Sequence, residues 1–267
     1  MRTLAHSARR VRQEAGGQFL PSAMFMPLDQ RGIRARLGTA TFIMGPPGCG
    51  KTLFAMYYTL RLGLPMLYVS ADAEDFETVE RAAAMVTGVP MNQVALDYSK
   101  YEDALRTELG HARFCYDNSP SYKDLVLEVA AFAEAEGQFP KVIVIDTLMR
   151  VTGDQQDEWA AHRDTAKVVD EICHKTGAAV FVLAHASDDR ADNTMPAPRN
   201  KLQGKVSQMP KAIWSVALAG DELRICPVKS KWCREDPSGR DYATLFVDPA
   251  TNRVFNSKYD MQNGRPA

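Results

Sequence analysis

Apolar positions along this chain follow two rhythms. Largely apolar, β-prone runs at 39–44, 66–70, 141–146 and 177–185 read as strands buried on both faces, the habit of a parallel sheet. A shorter run at 113–116 reads as one more strand. Between them, 76–86, 122–135 and 162–176 carry helical spacing, with the last stripe at 168, 169, 172 and 173. Leu53, Phe54, Met56, Tyr57, Leu60 and Leu62 suit a largely buried helix. After residue 211 only strands are legible: 212–218, 222–227, 242–248 and 252–255, the last two joined by the turn signal Asp-Pro-Ala-Thr-Asn. The pattern predicts an α/β fold, a mostly parallel sheet flanked by helices with an antiparallel C-terminal edge. One stretch fits neither rhythm. Residues 187–204 hold two prolines and few apolar residues. A structureless run of that length inside a domain points to function or disorder.

Composition narrows the picture. The 267 residues allow one large α/β domain or two small ones, and apolar and charged shares of 45% and 24% are ordinary for a globular protein. A net charge of −1 exerts no global pull on nucleic acid, so any such binding must come from local patches. One patch is the start: seven arginines (2, 9, 10, 12, 31, 34 and 36) stand against Glu14 and Asp29. With no apolar core to it, this start is no secretory signal; it reads as an arm for a neighbouring subunit or a phosphate backbone, as a disordered tail, or as a transit peptide. Five cysteines without a CxxC pair imply reduced thiols in a cytoplasmic setting and argue against zinc. No apolar run approaches the length of a membrane span.

The chemistry concentrates at the ends of the predicted parallel strands. Gly45-Pro46-Pro47-Gly48-Cys49-Gly50-Lys51-Thr52 sits between a strand and a helix, the context that makes GxxxxGK[ST] a phosphate-binding loop. Its glycines let backbone N–H groups close around phosphate oxygens, with the helix dipole behind them. Lys51 is expected to reach the β- and γ-phosphates of ATP, and the Thr52 hydroxyl to take Mg²⁺. Asp146 ends the 141–146 run, where a second Mg²⁺ contact belongs; the plainer reading is a helix cap. Asp72, Glu74 and Asp75 follow the 66–70 run, and one of them is a candidate to orient or deprotonate the attacking water; spacing does not choose, and a solvated acidic turn is the plainer reading. His185 closes the 177–185 run, as a structural residue or as a sensor of the γ-phosphate. Late in the chain, Lys229 and Lys231 stand two apart, which on a strand aims both ammonium groups one way; lysines also guard edge strands against aggregation.

These motifs resemble the RecA/DnaB/KaiC branch of P-loop ATPases, with phage DnaB-like and RepA-like replicative helicases closest. The segments that carry the likeness are "FIMGPPGCGKT", "VSADAE", "VIVIDTLMRV" and "VKSK". The resemblance implies a RecA-like core over 38–256, leaving 1–37 as a basic arm for oligomerisation or DNA contact and 257–267 as a tail. It implies Glu74 as catalytic glutamate, with Asp72 as rival, and ATP held by Gly45–Thr52, Asp146 and His185, with Mg²⁺ on Thr52 and Asp146. It implies 187–204 as a DNA-facing loop, although within 187–201 Asp188, Asp189 and Asp192 offset Arg190, Arg199 and Lys201. It also implies Lys229 and Lys231, with Arg234 a further candidate, as fingers that enter the next subunit's ATP site. A finger in trans needs a neighbour, so a ring, expected as a hexamer, or a filament follows, with single-stranded DNA as partner. The expected function is a helicase-like DNA-dependent motor. The alternatives are a recombination or loading ATPase without unwinding and a KaiC-like regulatory ATPase that binds only protein; a small-molecule kinase, which closes an arginine-rich lid, fits poorly.

Overall fold

In the computed structural model, which describes residues 19–20, 24–153, 158–187 and 193–267, the expected alternation is present. The strands are β1 (Thr39–Gly45), β2 (Met66–Ser70), β3 (Ala112–Tyr116), β4 (Val142–Asp146), β5 (Ala179–His185), β6 (Ala212–Ala219), β7 (Glu222–Ser230), β8 (Ala243–Asp248) and β9 (Arg253–Phe255). The helices are α1 (Met26–Gln30), α2 (Lys51–Leu60), α3 (Asp75–Thr87), α4 (Met91–Val94), α5 (Glu102–Leu109), α6 (Tyr122–Glu136), α7 (Glu158–Thr176) and α8 (Lys258–Gln262). The strands form one 9-stranded sheet in the order β3-β2-β4-β5-β1-β6-β7-β8-β9. Pairing is parallel from β3 through β6 and antiparallel from β6 to β9. The α/β reading with an antiparallel C-terminal edge therefore stands.

Side chains alternate across the sheet, so each strand feeds two cores. In β1, Ile43 joins the face covered by α2, while Phe42 and Met44 join the face covered by α6 and α7. Phe181 and Leu183 of β5 go with Ile43; Val180 and Val182 go the other way. All seven residues of β1 are buried, as expected where helices cover both faces. An aromatic cluster of Phe25, Phe54, Tyr58, Phe181 and Trp214 fastens α2 to the sheet. Pro227 lies in β7 beyond the stretch that pairs with β8, so its missing N–H leaves no gap in that ladder.

Four expectations need correction. Part of the 1–37 arm is core: Phe25, Leu28, Ile33 and Ala35 are buried, and Phe25 stacks on Tyr58 at 5.5 Å. Its arginines dominate the composition, but the apolar spacing of 25, 28 and 33 decides the packing; Arg2, Arg9, Arg10 and Arg12 lie outside the described residues. The described part of the 187–204 loop is docked: Ala197, Leu202 and, just beyond, Val206 are buried, and Ala186 bridges to Leu202. Isolated apolar anchors at irregular spacing leave no periodicity to read. Residues 188–192, with Asp188, Asp189, Arg190 and Asp192, lie outside the described residues. The 257–267 tail carries α8, capped by Ser257, and its Ala267 N–H donates to the Val254 carbonyl at 2.8 Å. Finally, β7 ends at Ser230, so Lys231 lies past the strand on which the two-apart argument relied.

Candidate functional site

The phosphate loop leaves β1 at Gly45 and enters α2 at Lys51. Gly48 and Gly50 hold φ of +72° and +84°, values that L side chains rarely adopt. A Cβ on Gly45 would meet Cys49 Sγ at 2.4 Å and the Val216 carbonyl at 2.6 Å, so the loop closes on itself only with glycine there. Gly50 caps α2 without a side-chain acceptor, which leaves the first N–H groups of the helix to a ligand. Pro46 and Cys49 are buried and Pro47 and Gly48 exposed. Lys51 is buried at 7% exposure, and its ammonium donates to the carbonyl oxygens of Gly45 at 2.9 Å and Pro46 at 2.8 Å. The cradle thus positions its own cation with loop backbone.

Asp146 ends β4 at 6% exposure. Its Oδ2 accepts from the Tyr68 hydroxyl at 2.9 Å. Burial pushes the Asp146 carboxyl above the usual aspartate range, and the Asp72 charge adds to the push; Tyr68, Thr52 and the Lys51 charge oppose it. The buried Asp146 carboxylate and the Thr52 hydroxyl in the first turn of α2, at the mouth of the phosphate loop, are oxygen donors of the kind that fit Mg²⁺. Sequence reasoning found Asp146 and Thr52 but missed Tyr68, whose polar tip is hidden in an apolar strand.

Among the acids after β2, Asp72 is the one whose charge acts on both Asp146 and His185. It is exposed and held by Arg150, whose Nε and Nη2 both stand 3.1 Å from Asp72 Oδ1. Arg150 was missed; a cation four residues past Asp146 was the available signal. Glu74 is exposed at the N-cap of α3, and Asp75 Oδ1 accepts from the Phe76 N–H. His185 stands opposite Gly45 in the β1–β5 register. Burial first, then the Lys51 charge, hold its pKa below the ordinary histidine value, so the imidazole is neutral at neutral pH.

The lysines lie elsewhere. Ser230 pairs with Ala212, which pairs with Thr41, so the stretch Lys229–Lys231 is level with the start of β1. The phosphate loop leaves from the other end of β1, ~13 Å further along at about 3.3 Å per residue. Lys229 is half-buried, and its ammonium donates to the carbonyls of Ser207 at 2.9 Å and Gln208 at 2.8 Å; burial lowers its pKa. Lys231 and Arg234 are exposed. The fold therefore gathers Lys51, Thr52, Asp72, Asp146 and His185 at one sheet edge and leaves Lys229 and Lys231 at the other.

A profile of the AAA domain family matches residues 33–191. The gene 65 protein of Mycobacterium phage L5 is 28% identical over 247 residues, covering 88% of this chain and 91% of that protein. Its counterpart in Mycobacterium phage D29 is 28% identical over 211 residues, with coverage of 74% and 91%. Among solved structures, a DnaB-like replicative helicase, studied with its primase interactions, superposes with a TM-score of 0.79 at 13% identity, over 96% of this chain and 69% of that one. A second solved structure, an isolated ATPase domain, gives 0.77 at 12% identity, over 96% and 99%. A KaiC-like protein of Pyrococcus horikoshii OT3 gives 0.61 at 14%, over 89% and 98%. The fold is that of RecA/DnaB/KaiC-type P-loop ATPases. Among the described residues, no helix is long and apolar enough to cross a membrane.

Proposed function

The chain belongs to the AAA domain family, and from that premise we propose that it is an oligomeric, DNA-dependent ATPase motor of helicase type whose active sites form between subunits. The observation that carries this reading is the separation of the lysine pair from the chain's own phosphate loop, at opposite edges of one sheet. Cations that far from their own cradle can serve ATP only in a neighbour's, so a ring, expected as a hexamer, or a filament is required.

In the proposed mechanism Gly45–Thr52 bind the triphosphate through backbone N–H groups, and Lys51 leaves its loop carbonyls for the β- and γ-phosphates. Thr52 and Asp146 would hold Mg²⁺, which when bound neutralises phosphate charge. The acid that orients the attacking water comes from the exit of β2. The resemblance assigns it to Glu74; Asp72, whose charge reaches Asp146 and His185, is the rival. Neutral His185, beside Gly45, would donate toward the γ-phosphate and pass its presence to the 187–204 segment. Lys231 and Lys229, with Arg234, would stabilise transition-state charge in the next subunit's site. Single-stranded DNA would lie against the 187–204 segment, with the arginine-rich start of the chain, ahead of the buried Phe25, as a second contact.

One observation favours a second reading. Arg199, a cation of the proposed DNA segment, is engaged by Glu235, which weakens its pull on a phosphate backbone and suits an ATPase that binds only protein. ATPase rate with and without single-stranded DNA decides: stimulation supports the motor, and a DNA-indifferent rate supports the regulatory ATPase. Strand displacement then separates a helicase from a loading or recombination ATPase.

A further inference from the structure

The segment after β5 begins beside the phosphate loop, where the Ala186 N–H donates to the Gly45 carbonyl. It ends at Ala212, the start of β6, level with the lysines. Between those points it is fastened to the hairpin 230–241. Lys229 donates to the carbonyls of Ser207 and Gln208. The Arg199 guanidinium lies 3.7 Å from a Glu235 carboxylate oxygen, and the Arg199 N–H donates to the Pro237 carbonyl at 3.0 Å. The other Glu235 oxygen accepts from the Ser230 N–H at 2.8 Å, and Ser230 is the residue between the two lysines. Further along, Gly239 packs so closely on Pro196 that a Cβ would meet its carbonyl oxygen at 2.4 Å.

We infer that Glu235 is a positioning residue: with Lys229 and Arg199 it brackets the segment 193–209 to the hairpin 230–241, so that nucleic acid bound to the segment sets the reach of Lys231 and Arg234 toward the neighbouring subunit. The inference rests on the proposed motor function and deepens it. It joins two edges of the sheet that the β-ladder alone keeps at a fixed distance. The segment touches the cradle edge through Ala186 and the lysine edge through Lys229, and Glu235 holds both Arg199 of the segment and the backbone of the hairpin. A carboxylate with one oxygen on each body transmits displacement between them. Lys229 then has two partners in sequence, its segment carbonyls in the free protein and a neighbour's phosphate when the segment shifts. Lys231 lies beyond the strand and is exposed.

The experiment uses Glu235→Lys, which reverses the charge at the bracket on an exposed residue, with the milder Glu235→Gln beside it. The pair Arg199→Glu with Glu235→Lys restores the attraction in the opposite sense. Each protein is measured for binding of fluorescein-labelled oligo(dT) by anisotropy, for the change in Trp232 emission on binding (against a Trp232→Phe control), and for ATPase rate with and without oligo(dT). Glu235→Lys, which frees Arg199, is expected to bind oligo(dT) at least as tightly as wild type while losing about fivefold or more of the stimulation and the Trp232 response. Glu235→Gln should show a smaller loss, and the swapped pair should regain both signals. Wild-type stimulation and Trp232 response in Glu235→Lys would overturn the bracket, as would a swapped pair that binds oligo(dT) normally yet stays uncoupled. A wild-type protein that binds no oligo(dT) would overturn the motor reading instead.

Discussion

The Lys51 ammonium is wrapped by the loop that carries it, and Asp146 is buried beside Thr52; these two residues carry the sharpest expectations. Lys51→Ala should lower kcat by about a hundredfold or more, because the β/γ-phosphates lose the cradle cation, a transition-state loss of ~3 kcal/mol. Near-normal steady-state turnover would refute the phosphate-loop assignment. Asp146→Asn separates stability from function. The Asp146 carboxyl is raised chiefly by burial, so its contribution to stability is complete below the unfolded aspartate pKa and is lost as pH rises through the higher folded value. At neutral pH the ionised form is therefore a cost that asparagine removes. Asp146→Asn should raise the Tm in metal-free buffer, at ~2–4 °C per kcal/mol, while Mg²⁺-dependent hydrolysis fails. A lowered Tm by calorimetry would contradict the argument. For the acid, Glu74→Gln should keep nucleotide affinity and nearly stop hydrolysis. If Asp72→Asn stops hydrolysis and Glu74→Gln does not, the role moves to Asp72.

At the scale of elements, the segment after β5 departs furthest from its sequence. Its polarity suggests a solvent loop, yet Leu202 is only 6% exposed and sits in the core beneath α7. Leu202→Ala should cost ~2–4 kcal/mol, measured by urea denaturation. A true surface loop would change by no more than about 0.5 kcal/mol. Helices α4 and α5 were not legible because they are short and shallow: α4 buries only Val94, and α5 packs only the partly exposed Leu105 and Leu109 against the core. Helix α6, by contrast, announces itself twice, through its apolar spacing and through the capping box of Ser121 and Asp124.

For the whole molecule, the decisive expectation is a site shared between subunits. A Lys51→Ala subunit keeps its lysine pair, and a Lys231→Ala subunit keeps its cradle. Mixed assemblies should therefore join intact cradles to intact lysines and recover part of the ATPase activity. Recovery that never appears, under conditions where light scattering shows subunit exchange, would return Lys231 to the role of a charged surface residue.

The parallel core and its cradle were legible in the chain itself. Continuous apolar runs can be buried only between helices, and the Gly-rich turn with Lys51 and Thr52 needs only local geometry to be recognised. Asp146 followed from its place at the end of such a run. What the chain alone could not decide is what depends on register. Whether Lys229 and Lys231 stand near Lys51 or at the far edge turns on the antiparallel pairing of β7 with β6, a contact set by packing rather than by local pattern. The same holds for Phe25 stacking on Tyr58, for the Tyr68 hydroxyl reaching Asp146, and for Glu235 joining Arg199 to Ser230. Each joins residues distant in sequence or lying in irregular backbone, where no periodicity marks a partner, so only the closed fold brings them together.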